Sequence, residues 1–239
     1  MHGITDKQII IKSLNDTSLF ICKLEVTFII ISIATRPDCL PDEVLELLSE
    51  CNRIKPLWIE LGLQTIHEST AKYIRRGYEL PVYDEAVRKL RDLDIDVITH
   101  VILGLPGETK EDMLTTVRYV CDSGANGIKL QLLHILKETD LERAYLRQNH
   151  IDKNYCEKDY PESITNTFSN QNIKILSEDE YIDILKSCVE IIPNDILIHR
   201  LTGDGDKKLL VAPMWSADKK HVWNRIQREV LTPHQSTSL

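Results

Sequence analysis

The fold is decided most clearly by residues 97–120, which read VITHVILGLPGETKEDMLTTVRYV. A run of β-branched residues is followed by a turn containing two glycines and then by Thr109-Lys-Glu-Asp112, where a hydroxyl and a carboxylate can bind the free N–H groups of a helix start. This stretch predicts a buried strand over 96–105, a tight turn and a helix to about Asp122. A strand followed by a crossover helix is the repeating unit of parallel α/β folds.

The same alternation extends in both directions from this unit. Runs rich in Val, Ile and Leu predict further strands, and periodic apolar positions between them predict amphipathic helices. Ser177-Glu-Asp-Glu180 repeats the capping pattern and predicts a helix to about Ile191. The predicted strands are 31–35, 57–63, 96–105, 127–136 and 195–201, and the predicted helices are 42–52, 68–76, 82–93, 109–122, one from about 140, 177–191 and 217–231.

Four or five parallel β/α units predict an α/β fold of the open or incomplete barrel type, because a closed barrel needs eight units. A doubly wound sheet is the alternative, but the sequence has no GxGxxG opening. We expect a poorly determined lead-in over 1–28, a partial barrel with a C-terminal extension over 29–231, and a frayed tail over 232–239. Within the barrel, the polar segment 148–172 is interpreted as a surface insertion.

Composition and charge narrow the class of function. The chain has 239 residues, 42% of them apolar, which is enough for a core that needs no disulfides. Its 29 Lys and Arg against 37 Asp and Glu give a net charge of −8, which does not indicate a nucleic-acid partner. The apolar run Val26–Ala34 is far shorter than the roughly 20 residues that cross a bilayer. We therefore expect a cytoplasmic protein with no membrane partner, acting on a small-molecule or macromolecular substrate that the sequence does not identify.

Polar side chains occur at or near the ends of the predicted strands, where buried parallel strands usually carry Val, Ile and Leu. Five that lie within the predicted strands each need a partner in the interior, namely Glu60, His100, Lys129, Gln131 and His134. In both α/β architectures ligands bind at the carboxyl ends of the strands, so one polar pocket would satisfy the whole set. The set consists of Thr35, Arg36, Glu60, Gln64, His100, Lys129, Gln131, His134 and His199.

Two features of this set have a structural interpretation beside the functional one. Glu60 is either a ligand contact or the ion-pair partner of Lys129 or Arg36. Residues 104–109, GLPGET, are either a tight turn before a capped helix or a turn whose glycines and helix N–H groups admit an anion or adenine. The sequence leaves both choices open.

The sequence contains little that indicates a local metal site. His100, His134 and His199 could form a three-histidine site, although each alone is more often a hydrogen-bonded core residue. No two cysteines form a CxxC or CxxxC pair, so we expect scattered reduced thiols. The six cysteines stand at 22, 39, 51, 121, 156 and 188.

Four strings resemble, in order, the second half of a radical SAM barrel, and a fifth resembles the uncharacterised YhcC/YtqA-like subgroup of that superfamily. Together they cover about residues 31–231, and the first 28 residues lie outside the resemblance. Lys137-Glu-Thr139 departs from the family, which more usually has a glycine between the lysine and the threonine. The strings are ISIATRPDCLPDEVLELL (31–48), LWIELGLQTIHESTAKYIRRGY (57–78), the stretch 97–120 quoted above, GIKLQLLHILKETDLERAY (127–145) and RLTGDGDKKLLVAPMWSADKKHVWNRI (200–226).

The resemblance implies a partial TIM-type barrel that lacks its first strands. The implied chemistry is reductive cleavage of S-adenosylmethionine to a 5'-deoxyadenosyl radical, which abstracts hydrogen from a substrate that the resemblance does not identify. In the family a CxxxCxxC loop holds a [4Fe-4S] cluster. This sequence has no such loop, so we expect a truncated chain that is inactive alone and binds no cluster as written.

The resemblance also implies roles for individual residues. Residues on the nucleoside side would bind S-adenosylmethionine, and residues further along the sheet would face the substrate. The alternatives are a non-catalytic remnant that binds a nucleoside or a protein partner, and a phosphate-binding barrel enzyme that uses the 104–109 turn. The cofactor contacts are Thr35, Arg36, Glu60, Gln64, His100, Gly104 and Leu105, and the substrate-side residues are Lys129, Gln131 and His134.

Overall fold

A computed structural model describes residues 30–149, 173–203 and 205–232. Five parallel strands form one sheet in the order β1-β2-β3-β4-β6, and two short strands pair separately as β5-β7. The strand order follows the chain without the reversal of a doubly wound sheet, so the predicted barrel-type α/β fold is confirmed. The strands are β1 Ile31–Thr35, β2 Leu57–Gln64, β3 Asp96–Leu103, β4 Gly127–Leu132, β5 Ile135–Leu136, β6 Leu197–Arg200 and β7 Leu210–Ala212.

Helices connect the strands, and both predicted capping boxes are present. The Thr109 hydroxyl accepts a hydrogen bond from the Asp112 N–H at 3.3 Å, and the Ser177 hydroxyl accepts one from the Glu180 N–H at 3.2 Å. No helix in the described ranges is long and apolar enough to cross a membrane. The helices are α1 Asp42–Ile54, α2 Glu68–Tyr73, α3 Leu80–Asp92, α4 Lys110–Asp122, α5 Asp140–Gln148, α6 Glu178–Ile191 and α7 Lys219–Ile226.

Three segments predicted from the sequence lie wholly or largely outside the described residues. They are the lead-in 1–28, the insertion 148–172 and the tail 232–239, of which only residues 148, 149 and 232 are described.

The predicted strand 127–136 was wrong in its second half. After Leu132 the chain leaves the sheet, and Ile135 instead pairs with Ala212 in the antiparallel β5-β7 ribbon. Ile135 is fully buried there, in a second apolar cluster that contains Ile173 and Ala212. Because the partners come from distant parts of the chain, strand periodicity could not reveal the break.

Two other boundaries differ from prediction for backbone reasons. Strand β3 ends at Leu103 instead of residue 105, because Gly104 has a φ of +87° and turns the chain. Helix α2 ends at Tyr73 instead of residue 76, and Arg75 then adopts a φ of +56°. Arg75 lines the cavity of about 830 Å³ described below, whereas Gly104 lines a smaller, separate one.

The two faces of the sheet differ in composition. Alternate residues of β2, namely Leu57, Ile59, Leu61 and Leu63, are at most 2% exposed and belong to the main core that the helices cover. We call this side the outer face; it also carries Val97, Val101, Leu103, Ile128 and Leu130. The opposite side is the inner face, and it carries Ser32, Glu60, His100, Lys129 and Gln131, which hydrogen bonds or ion pairs link to one another.

Candidate functional site

A cavity of about 830 Å³, which we call the main cavity, lies at the carboxyl ends of the first strands of the sheet. Parallel strands bring these ends to one edge, which is where ligands of barrel folds bind. Apolar Ile102, Leu105 and Leu133 line it beside polar groups, a combination typical of sites for nucleoside-sized ligands. Six of the seven residues predicted to contact the cofactor line this cavity: Thr35, Arg36, Glu60, Gln64, His100 and Leu105.

Glu60 is the centre of the polar network on the inner face. Its carboxylate lies 2.5 Å from Lys129 Nζ and 2.7 Å from His100 Nε2, and it accepts a hydrogen bond from the Ser32 hydroxyl at 2.6 Å. The side chains of Glu60 and Lys129 are 15% and 13% exposed. The structure therefore contains the ion pair with Lys129, whereas Arg36 pairs with Asp38 at 2.7 Å.

This network sets the protonation states at the floor of the cavity. Burial alone would raise the pKa of Glu60, but hydrogen bonds from Lys129, Ser32 and His100 outweigh it and lower that pKa to about 2. Burial lowers the pKa of His100, opposed by its bond to Glu60. With Gln131 Nε2 at 3.3 Å from His100 Nδ1, the neutral imidazole accepts at Nδ1 and donates from Nε2 to Glu60. Glu60 is thus an ionised carboxylate beside a histidine whose burial favours the neutral form.

Gln64 reaches the cavity because the end of β2 is irregular. The register between β2 and β3 shifts between Gly62 and Gln64, and Gln64 has a φ of +70°. A Cβ atom added at Gly62 would lie 2.8 Å from Gln64 Nε2, so the glycine leaves room for the amide to lie over the strand. The Tyr78 hydroxyl donates a hydrogen bond to the Gly62 carbonyl and supports this irregular end.

Arg76, which was not among the residues predicted from the sequence, holds the same strand end. Its side chain is 2% exposed, donates to the Thr65 carbonyl at 2.7 Å and pairs with Glu68 at 2.9 Å. The guanidinium also lies over the Tyr78 ring, 4.7 Å from its centroid. Two adjacent arginines directly before a glycine were the signal that could have drawn attention to this segment.

Gly104 is the cofactor-contact candidate that the main cavity does not include. It lines a separate cavity of about 300 Å³ near the start of α6, and a Cβ atom there would lie 2.9 Å from Leu176 Cδ1. The Gly104 N–H donates to Met113 Sδ at 3.1 Å, and the Thr109 N–H donates to Asp112 at 2.8 Å. Backbone conformation and close packing therefore explain this turn, and two of its N–H groups are already engaged, which disfavours the phosphate-binding alternative.

The three predicted substrate-side residues do not line the main cavity. Lys129 and Gln131 contact Glu60 and His100 beneath it, while His134 Nδ1 accepts a hydrogen bond from the Gly205 N–H at 3.2 Å. Their predicted contact with substrate stays a prediction.

The three-histidine metal site does not form. His100 pairs with Glu60, His134 lies against Gly205, and His199 packs edge-on against Trp58 with ring centroids 4.6 Å apart. Across residues 30–149, 173–203 and 205–232, no group of three or more His, Cys, Asp or Glu side chains could hold a metal ion.

The described cysteines do not fit an iron–sulfur cluster either, because a [4Fe-4S] cluster needs several thiolates converging on one point. Cys51 and Cys188 are fully buried in the apolar core, and burial raises the pKa of Cys188 to about 12. Cys39 lines the main cavity, and Cys121 is on α4. The residues around the main cavity fit a nucleoside, whereas the described thiols fit no cluster.

Comparison with known proteins identifies the family. The model of the Radical SAM superfamily matches residues 11–120, and that of the Radical_SAM C-terminal domain matches residues 163–231. The first match begins earlier than expected, so the view that residues 1–28 lie outside the resemblance was wrong from residue 11 onward.

Individual relatives agree with this assignment. Protein YtqA of Bacillus subtilis is 42% identical over 84% of this chain and 55% of its own length, and protein YhcC of Escherichia coli K12 is 30% identical over 78% and 53%. The chain thus spans about half the length of these relatives. Its fold resembles that of the archaeal Methanocaldococcus infernus Elp3 with an N-terminal deletion, with a TM-score of 0.67 and 18% identity over 92% of this chain and 47% of that one. The chain has the fold of a partial TIM-type barrel and belongs to the radical SAM superfamily.

Proposed function

We propose that the main cavity binds S-adenosylmethionine and that this chain supplies the nucleoside-binding half of a radical SAM enzyme. The convergence of six predicted contact residues from three strands on one cavity of about 830 Å³ carries this proposal. Bound beside a reduced [4Fe-4S] cluster, S-adenosylmethionine would supply radical chemistry that begins with abstraction of hydrogen from a substrate. The described thiols do not hold that cluster, so we assign no step of the reaction to them.

The residues around the cavity divide the binding between packing and hydrogen bonding. Ile102, Leu105 and Leu133 form an apolar wall against which adenine would pack. Gln64 offers an amide donor and acceptor, and Glu60 offers a carboxylate that stays ionised because its pKa is about 2. These two side chains would bind ribose hydroxyls or the methionine amino group.

Calorimetric titration with S-adenosylmethionine tests this proposal. Gln64→Leu removes the amide at nearly constant size and should weaken binding about tenfold, the value of a lost hydrogen bond in a partly buried site. Gln227→Leu makes the same change at an exposed position outside the cavity and should alter the affinity less than threefold, since it loses no cofactor contact. Equal effects of the two variants, or no binding by the unaltered chain, would refute the assignment.

A second candidate function is nucleoside binding without redox turnover. The dispersion of the described thiols favours it, because Cys51 and Cys188 are core residues that cannot leave the interior without disrupting packing. The two functions share the cavity and differ in the cluster. Anaerobic reconstitution with iron and sulfide, followed by incubation with dithionite and S-adenosylmethionine and assay for 5'-deoxyadenosine, distinguishes them. Product formation supports the enzyme, and tight nucleoside binding without product supports the second function.

A further inference from the structure

An ion pair lies at the edge of the main cavity. Arg75, in the segment between α2 and α3, pairs with Asp140 at the start of α5, with Arg75 Nη2 2.8 Å from Asp140 Oδ2. Both residues line the cavity, and the Arg75 side chain is 51% exposed. An anion in the cavity can therefore reach this guanidinium from solvent.

Asp140 does not depend on Arg75 alone. Its other oxygen, Oδ1, lies 2.5 Å from Arg143 Nη1, and its position in the first turn of α5 is one where a carboxylate is stabilised by the helix N–H groups. If an incoming anion took Arg75, Asp140 would keep a cation and the helix terminus. The exchange would leave no unpaired carboxylate behind.

The other two arginines that line the cavity are less suited to such an exchange. Arg76 is 2% exposed and is held by Glu68 and two backbone carbonyls. Arg36 donates two bonds to Asp38, at 2.9 Å from Nε and 2.7 Å from Nη2, in a bidentate pair. Among these three arginines, Arg75 combines a half-exposed guanidinium with a partner, Asp140, that has a second cation of its own.

The backbone at Arg75 adds an independent observation. Its φ of +56° lies in the left-handed region, which non-glycine residues rarely occupy because the Cβ atom crowds the backbone there. The strained residue comes two positions after the end of α2, and its side chain lines the cavity. Such strain is concentrated at functional positions.

We propose that Arg75 is the docking site for an anionic group, a carboxylate or a phosphate, on the substrate that shares this cavity with the cofactor. Arg75 exchanges Asp140 for the ligand's anion, and Arg143 then neutralises Asp140. That the anion belongs to a substrate rests on the proposed function, whereas the existence of an anion site at Arg75 does not.

The test is a titration of the chain with inorganic phosphate and with succinate, in which NMR of labelled arginine side chains reports binding. Arg75→Gln should weaken anion binding about tenfold, because a charge-assisted bond is lost. Asp140→Asn should strengthen it roughly threefold, because the competing ion pair is removed. In the double variant Arg75→Gln/Asp140→Asn the gain in anion affinity should vanish, because the guanidinium that Asp140→Asn releases is absent.

The matched control is the exposed pair Arg88–Asp92 on α3, which lies outside the cavity at 3.1 Å. Arg88→Gln and Asp92→Asn change the net charge by the same amounts and should leave anion affinity within about twofold, because exposed charges are screened. Four results would each overturn the proposal: no anion binding by the unaltered chain, equal losses in Arg75→Gln and Arg88→Gln, no gain from Asp140→Asn, or a gain that persists without Arg75.

Competition identifies the source of the anion. Phosphate binding should persist when the chain is saturated with S-adenosylmethionine or with 5'-methylthioadenosine, which lacks the carboxylate. Loss of phosphate binding with the first but not the second would assign Arg75 to the cofactor carboxylate and overturn the substrate role. If neither nucleoside binds, the proposed function fails while the phosphate titration still decides whether Arg75 is an anion site.

Discussion

The outer and inner faces of the five-stranded sheet are built from neighbouring residues yet are held by different forces. On β2, Ile59 and Leu61 are fully buried against helices, while Glu60 between them faces the opposite way and binds partners from three other strands. Burial of apolar area is nondirectional and depends on volume, whereas the Glu60 network depends on distances and protonation. The outer face therefore contributes mainly apolar packing, whereas the inner face holds polar side chains in positions from which they can contact a ligand.

Adjacent residues on β3 give the largest test of this difference. Leu103→Ala, on the fully buried outer face, should lower the free energy of unfolding by about 2–5 kcal/mol, because it leaves a cavity in a packed core. Ile102→Ala, on the cavity wall, should cost less than half as much, because its side chain already borders open space. Urea denaturation measures both. Equal costs would mean that the two faces are equally packed.

The ion pair on the inner face should have the next largest effect. Lys129→Met keeps the size of the side chain but leaves Glu60 without its cation, and should cost about 2 kcal/mol, discounted from fully buried pairs because both groups are slightly exposed. The double variant with Glu60→Gln should lose less unfolding free energy than the sum of the two single variants. The reason is that removing one partner is costly mainly when it leaves the other charge unpaired. Strict additivity in urea denaturation would contradict the ion-pair interpretation.

The ionisation of Glu60 should make part of this stabilisation depend on pH. Its pKa falls from an ordinary 4.5 to about 2 in the folded chain, so its contribution to stability is complete above pH 4.5 and disappears as pH falls through 2. The stability difference between the unaltered chain and Glu60→Gln should therefore shrink over this window. Thermal unfolding as a function of pH measures it, and a difference that stays constant from neutral pH to pH 2 would show that Glu60 has an ordinary pKa.

The smallest expected effect comes from a helix cap that serves the outer face. Thr109→Ala removes the hydroxyl that accepts the Asp112 N–H at the start of α4 and should cost about 1 kcal/mol. Nucleoside affinity should not change, since Thr109 does not line the main cavity. Thr109→Ser, which keeps the cap, is the control and should restore stability. A loss of nucleoside binding in Thr109→Ala would contradict the separation of the two faces.

Local patterns in the sequence determined the strands of the main sheet, both capping boxes and the set of polar residues at the strand ends. They could do so because periodicity and caps depend on residues within about four positions of one another. They did not reveal that β4 stops at Leu132, since the partner of Ile135 is Ala212. They also left Glu60 with two possible cations, of which the structure selects Lys129.

The sequence by itself thus determined the class of fold, the family resemblance and the edge of the sheet where the cavity lies. Only the tertiary structure decided which side chains meet there: Glu60 with Lys129, Arg76 beneath the end of β2, and Arg75 with Asp140, which stand 65 positions apart in the chain. The physical reason is that lateral register and loop conformation are set by nonlocal packing, which residues close together in sequence do not encode.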